Sequence, residues 1–228
     1  MDEHKRYKLV IFDLDGTLLD TVEGSKKAIQ YTIEQMGFSP LNEEQLKSFT
    51  GPPIQESFKR YYDVDQAQII KMVEIFRNRY KDFDLFKAVP YDNIYDLMSY
   101  MVTHDMQVAI ATYKRQDYAS KLLEYFGFSK YTNAVFGADV ENKLTKVDII
   151  RNCLDEFKYS IADVIMIGDT YHDAQGAAEL GIDCIGVTYG YGFKNKKEAI
   201  ECNCIFSADN VNEILNFFKG GCLSDYES

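Results

Sequence analysis

Five short apolar runs punctuate the chain: Leu9 to Phe12, Val108 to Ala111, Ala134 to Phe136, Val164 to Ile167 and Cys184 to Val187, each bounded by turn-forming residues. The runs are continuous rather than alternating, which is the pattern of strands buried on both faces. Between them apolar positions recur at helical spacing, over Tyr118 to Phe126, Lys146 to Phe157 and Ala174 to Leu180. The first and last of these end at Gly127 and Gly181, where glycine suits the left-handed residue that closes a helix. Strand and helix in alternation predict an α/β fold, a doubly wound parallel sheet whose binding sites lie at the carboxyl ends of the strands.

The alternation is broken once. From about Thr21 to about Val89 the pattern is helical, over Val22 to Met36, Glu43 to Phe49, Gln55 to Tyr62 and Gln66 to Tyr80, with almost no strand candidate. The expected organisation is therefore an α/β core of residues 1–20 and 88–228 with a small helical domain, residues 21–87, inserted after the first strand. Pro52 and Pro53 cannot occupy a helix interior, so Gly51-Pro52-Pro53 is expected to be a stiff break that starts the next helix. It is either a plain turn or a substrate-facing loop.

Composition narrows the function classes. A chain of 228 residues with 46% hydrophobic and 27% charged residues is ordinary for a globular protein. Its formal net charge of -11, with no basic run, argues against a nucleic acid polymer as partner. No apolar stretch approaches the ~20 residues of a membrane helix, and the N-terminal residues lack a signal-peptide pattern, so a cytoplasmic protein is expected. Cys153, Cys184, Cys202, Cys204 and Cys222 form an odd, scattered set, read as reduced thiols rather than disulfide or zinc partners.

The candidate chemistry gathers at strand ends. Asp13-Leu14-Asp15-Gly16-Thr17-Leu18 follows the first apolar run directly. An Asp-Gly turn accounts for Gly16 but leaves Asp13 as a charge against an apolar strand, which is costly unless a cation or proton relieves it. Val164 to Ile167 leads into Gly168-Asp169, with Asp173 four residues on. At the same sheet edge as Asp13, Asp169 would complete an oxygen-rich cation site of the kind magnesium prefers; alone it could be a helix N-cap. The run Val108 to Ala111 ends at Thr112, a hydroxyl donor for a phosphate, with Lys114 close behind. A lysine near the start of the helix that follows would offset the carboxylates, and both Lys143 and Lys146 qualify.

These four elements, in this order, resemble the haloacid dehalogenase superfamily over nearly the whole chain, to about Gly192. The resemblance implies that Asp13 is a nucleophile and Asp15 the general acid and base, with Thr112 and Lys146 also catalytic. It implies magnesium as cofactor, held by Asp13, Asp15, Asp169 and Asp173, and a helical cap that closes over the substrate. Gly51-Pro52-Pro53 with Ser57-Phe58, and Gly186 to Gly192, are similar to phosphoglycolate phosphatase-like proteins and bacterial 5'-nucleotidases. That comparison favours Lys146 over Lys143 and makes Thr112, Tyr113, Lys146 and Gly51 the expected substrate contacts. Tyr113 departs from the family's small polar residue there. The implied activity is hydrolysis of a small-molecule phosphomonoester by a monomer or homodimer. A phosphomutase is the nearest alternative and a silent binding protein a further one, while a dehalogenase has no use for Asp15.

Overall fold

The computed structural model describes residues 7–49, 54–140 and 143–220. In chain order its strands are β1 (Leu9–Phe12), β2 (Leu19–Asp20), β3 (Val89–Pro90), β4 (Gln107–Arg115), β5 (Val135–Ala138), β6 (Val164–Gly168), β7 (Asp183–Val187) and β8 (Phe206–Ala208). The helices are α1 (Val22–Met36), α2 (Glu43–Lys47), α3 (Ile54–Tyr61), α4 (Gln66–Arg79), α5 (Ile94–Thr103), α6 (Gln116–Tyr125), α7 (Lys146–Phe157), α8 (Tyr171–Leu180), α9 (Lys196–Glu201) and α10 (Val211–Phe218). The chain divides into two compact units, Met1–Leu18 with Pro90–Ser228, and Leu19–Val89.

The larger unit is built on a six-stranded sheet in the order β5-β4-β1-β6-β7-β8, parallel at every pairing. The chain runs outward from β1 through β4 and β5, then crosses to β6 and runs outward the other way. Strand order reverses between β1 and β6, and in such sheets the crevice at the carboxyl ends of those two strands is the favoured place for a ligand. Leu9, Ile11, Ala109, Ala111, Val164 and Met166 pack with Ile149, Ile150 and Cys153 of α7 and Ala174 and Ala177 of α8. Val10 and Phe12 point to the opposite face by strand alternation and are equally buried. The apolar runs are continuous because both faces are covered.

One strand reaches well past its apolar run. The β4 strand continues through Thr112 to Arg115, with its register to β5 shifting between Ala111 and Arg115. Thr112 is buried, while Tyr113, Lys114 and Arg115 are half-buried, which tolerates polar residues at this end. Gly127 and Gly181 adopt the left-handed conformation that ends α6 and α8, at φ 75° and 71°.

The smaller unit is helical, apart from the two-residue strands β2 and β3, which pair with each other. Ile29, Ile33, Leu46, Phe49, Phe58, Ile69, Met72 and Val73 form its core. The helix expected to run from Gln66 to Tyr80 gives way after Arg79 to a π-helical turn, Tyr80–Asp84. That turn carries the buried Asp84 between Arg79 Nε at 2.7 Å and Lys87 Nζ at 2.5 Å, so a buried carboxylate is compensated by cations from both sides. Gly51 and the two prolines after it lie outside the described residues. Among those residues no helix is long and apolar enough to cross a membrane, and Cys153, Cys184, Cys202 and Cys204 are free thiols.

Candidate active site

The site is assembled from four strand ends and two helix starts of the larger unit. Asp13 follows β1 directly, its backbone N–H donating to the Ile167 carbonyl at 2.9 Å, which locks it beside the end of β6. The chain then turns: Leu14 goes inward, Gly16 takes φ 86°, and the Leu18 N–H donates to the Leu14 carbonyl at 3.0 Å. A Cβ on Gly16 would collide with the Asp169 carboxylate, so glycine is required both for the left-handed backbone and for the closeness of the two acids.

Lys146 is the first residue of α7. The helix start is fixed by Thr145 and Asp148, each accepting the other's backbone N–H, the reciprocal arrangement of a capping box. From there Lys146 Nζ reaches Asp13 Oδ1 and Asp173 Oδ1, both at 2.6 Å. Lys143 is exposed, its backbone N–H donating to Asp139 Oδ1 at 2.7 Å, whereas Lys146 is buried.

Asp169 follows β6 and is fully buried. Its Oδ2 accepts the Tyr191 N–H at 2.7 Å, and its Oδ1 has no hydrogen-bond partner among the described residues. The helix N-cap is Thr170, not Asp169; Asp173 completes that cap, its Oδ2 accepting the Thr170 N–H at 3.0 Å and hydroxyl at 2.7 Å. Asp173 thus turns one oxygen to the helix start and the other to Lys146. Asp13, Asp169 and Asp173 each offer an oxygen within 4.8 Å of the others. If all three ionise, a single ammonium leaves the cluster strongly negative. Its all-oxygen donors and the unpartnered Asp169 oxygen fit a hard divalent cation.

The electrostatics follow from that crowding. Burial pushes the Asp13 carboxyl up to about 7, Lys146 opposing the shift while Asp173 and Asp15 add to it. Burial, then Asp13 and Asp173, hold Asp169 well above the usual carboxylate range. For Lys146 burial acts downward, but Asp13 and Asp173 outweigh it and the ammonium is held charged. The consequence for stability has a definite sign. Below 3.8, the ordinary carboxyl value, Asp13 is protonated whether folded or not. Between there and about 7 the unfolded chain gives up the proton and the folded one keeps it, so this contribution is lost as pH rises. In chelator, the melting temperature is expected to fall over that window. A divalent cation requires the ionised form, so the shift produced by magnesium should grow over the same window; a magnesium shift independent of pH would contradict the assignment.

Thr112 and Tyr113 divide by strand alternation. Thr112 is buried, its Oγ1 accepting the Lys114 N–H at 3.1 Å. Tyr113 turns the other way: its ring packs against the core cluster and its hydroxyl accepts the Lys146 N–H at 3.0 Å. Lys114, noted from the sequence only as a neighbour of Thr112, lies with its Nζ 2.9 Å from Asp15 Oδ2. Tyr191 lies within the span Gly186 to Gly192; Gly190 beside it lets that loop approach, since a Cβ there would collide with Asp169 and the Gly16 carbonyl. The Tyr189 hydroxyl donates to the Thr17 carbonyl at 3.1 Å.

Known proteins resemble this chain in sequence and fold. A 5'-nucleotidase of Pseudomonas aeruginosa is 32% identical over 199 residues, covering 87% of this chain and 90% of that one. A phosphoglycolate phosphatase of Vibrio parahaemolyticus is 27% identical over 218 residues, covering 91% and 94%. The solved structure of a haloacid dehalogenase-like family hydrolase from Streptococcus pneumoniae matches with a TM-score of 0.85 at 27% identity, covering 93% of this chain and 98% of the other. Residues 10–187 match the model of the haloacid dehalogenase-like hydrolases, and the chain belongs to that family, as an enzyme of its phosphatase type.

Proposed function

We propose that this chain is a magnesium-dependent phosphomonoesterase that works through an aspartyl-phosphate on Asp13. One observation carries the reading: three buried carboxylates, Asp13, Asp169 and Asp173, converge within 4.8 Å around an ammonium bound to the first and third. Such a cluster is costly for a fold and is explained by a cation and a phosphoryl group arriving together. Asp13, Asp169 and the Asp15 backbone carbonyl would hold the magnesium, with Asp173 in support because Thr170 and Lys146 already engage its oxygens. When bound, the cation would supply positive charge against the phosphoryl oxygens.

The chain's own groups account for the rest. An Asp13 oxygen attacks phosphorus, the bond from phosphorus to the ester oxygen breaks, and the Asp15 carboxyl gives its proton to that leaving oxygen. Water then attacks the phosphorus of the aspartyl-phosphate and yields its proton to Asp15, and the bond from Asp13 to phosphorus breaks, releasing phosphate. Lys146 draws Asp13 into a single orientation and, with the Thr112 hydroxyl, adds donors for the phosphoryl oxygens. The substrate is a small phosphorylated metabolite, a nucleoside 5'-monophosphate or 2-phosphoglycolate, in line with the relatives' names. A phosphomutase differs in handing the phosphoryl group to a second hydroxyl rather than to water.

The test is phosphate release from nucleoside 5'-monophosphates, 2-phosphoglycolate and hexose phosphates, with magnesium and with chelator. Release from one class, abolished by chelator, is expected. Conversion of glucose 1-phosphate to the 6-phosphate without release would favour the mutase, and inertness across the panel would overturn the enzymatic reading.

A further inference from the structure

We infer that Lys114 is the positioning residue for Asp15, so that nucleophile and proton carrier each have a lysine of their own. The inference rests on the phosphatase reading above. Lys114 Nζ lies 2.9 Å from Asp15 Oδ2, and the two side chains are only 8% and 19% exposed. An ion pair between mobile surface side chains contributes little and holds nothing in place. This one is anchored.

The anchoring comes from the backbone. Because β4 continues past Ala111, Thr112 and Lys114 are alternate residues of one strand and share a side. The Lys114 N–H donates to Thr112 Oγ1 at 3.1 Å, and its carbonyl lies where a Cβ on Gly137 would collide, so the residue is gripped from both ends. β1 and β4 pair in parallel with Phe12 opposite Ile110. The turn after β1 that carries Asp13 and Asp15 therefore leaves the sheet at the same edge as the end of β4 that carries Thr112 and Lys114. The second lysine at this edge is committed elsewhere: Lys146 holds Asp13 and Asp173.

The chemistry explains why the proton carrier needs such a partner. In the first half-reaction Asp15 gives a proton to the leaving oxygen as its bond to phosphorus breaks. In the second it takes one from the attacking water as the bond between phosphorus and Asp13 breaks. A carboxylate free to change rotamer would meet neither geometry reliably, and misplacement by ~1 Å can cost on the order of 100-fold in rate. Lys114 exchanges no atom in either step, and acts only by fixing where Asp15 stands.

The experiment compares wild type, Lys114→Met and Lys114→Arg, all with magnesium, on p-nitrophenyl phosphate and on the best substrate of the panel. Nitrophenolate leaves without needing a proton, so with this ester only the water step should depend on Asp15. Lys114→Met is expected to release a stoichiometric burst of nitrophenolate and then turn over slowly, with phosphoenzyme accumulating on acid quench. On the alkyl phosphate its kcat should fall on the order of 100-fold with KM little changed, and Lys114→Arg should recover most of the loss. Wild-type kinetics in Lys114→Met overturn the inference and leave the phosphatase reading intact. Equal slowing on both substrates with a lowered melting temperature and no burst also overturns it, assigning Lys114 a merely structural role. A wild type that releases phosphate from nothing overturns the parent reading and this one together.

Discussion

Asp13→Asn should lose at least about 10⁴-fold in kcat while folding as well as the native chain. The amide has nearly the shape of the carboxylate, so the packing around Phe12 and the hydrogen bond from the Asp13 N–H to the Ile167 carbonyl are retained. What disappears is the oxygen that the proposed mechanism uses as nucleophile. Its Oδ1 can still accept from Lys146 Nζ, whose other partner, Asp173, remains. One of three mutually repelling buried carboxylates is also removed, which lifts a source of destabilisation. In chelator the variant should therefore melt no lower than the native protein, and the stabilisation by magnesium should shrink. Phosphate release and thermal melting on the same samples check both halves. Retained turnover would remove Asp13 from the role of nucleophile; loss of turnover together with a large fall in melting temperature would reduce the substitution to a folding defect.

Lys146→Met should be the most damaging substitution for the fold. Methionine keeps much of the length and the apolar stem, so the cavity term is small. The two carboxylates at 2.6 Å lose their shared ammonium in a site where Asp13, Asp169 and Asp173 are all buried. Removing one partner of a buried ion pair typically costs about 3–5 kcal/mol, because the charge left behind cannot be solvated. Part of that cost is avoided by protonation, so the loss should be smaller at low pH and larger near neutrality. Magnesium should restore some of it by supplying the missing charge. Denaturant unfolding at two pH values, with and without magnesium, measures each part; an unchanged midpoint at neutral pH would show that the ammonium does not compensate the acids.

The parts of this architecture legible in the residues are those with a local signature. Continuous apolar runs marked β1, β6 and β7 because both sheet faces are covered, and the acids at the ends of β1 and β6 stood out against those runs. The Lys146 helix was legible through its periodicity. The contacts that hold the site together were not. Lys114 meets Asp15 only because β4 outlasts its apolar stretch and lies in parallel register with β1, which no local period encodes. The Tyr191 N–H reaches Asp169 across a loop, and the only trace of it in the sequence is a run of glycines. Tyr113 is a further case: alternation turns it away from Thr112, its ring against the core cluster and its hydroxyl on the Lys146 N–H, a pairing with no local signature. At the carboxyl-terminal edge, β8 is three residues long with a serine at its centre, too short and too polar for a strand pattern. In α5 the buried positions Ile94, Leu97, Met98 and Met101 follow helical spacing, so that element too has a local signature.

The central claim, that Asp13 takes up the phosphoryl group, is tested most directly by finding that group on the chain. Acid quench during turnover with magnesium, followed by peptide mass spectrometry, should place a phosphoryl adduct on the peptide containing Asp13, absent from Asp13→Asn and gone once the substrate is exhausted. Turnover in full with no adduct at Asp13, or with the adduct on another residue, would contradict the account.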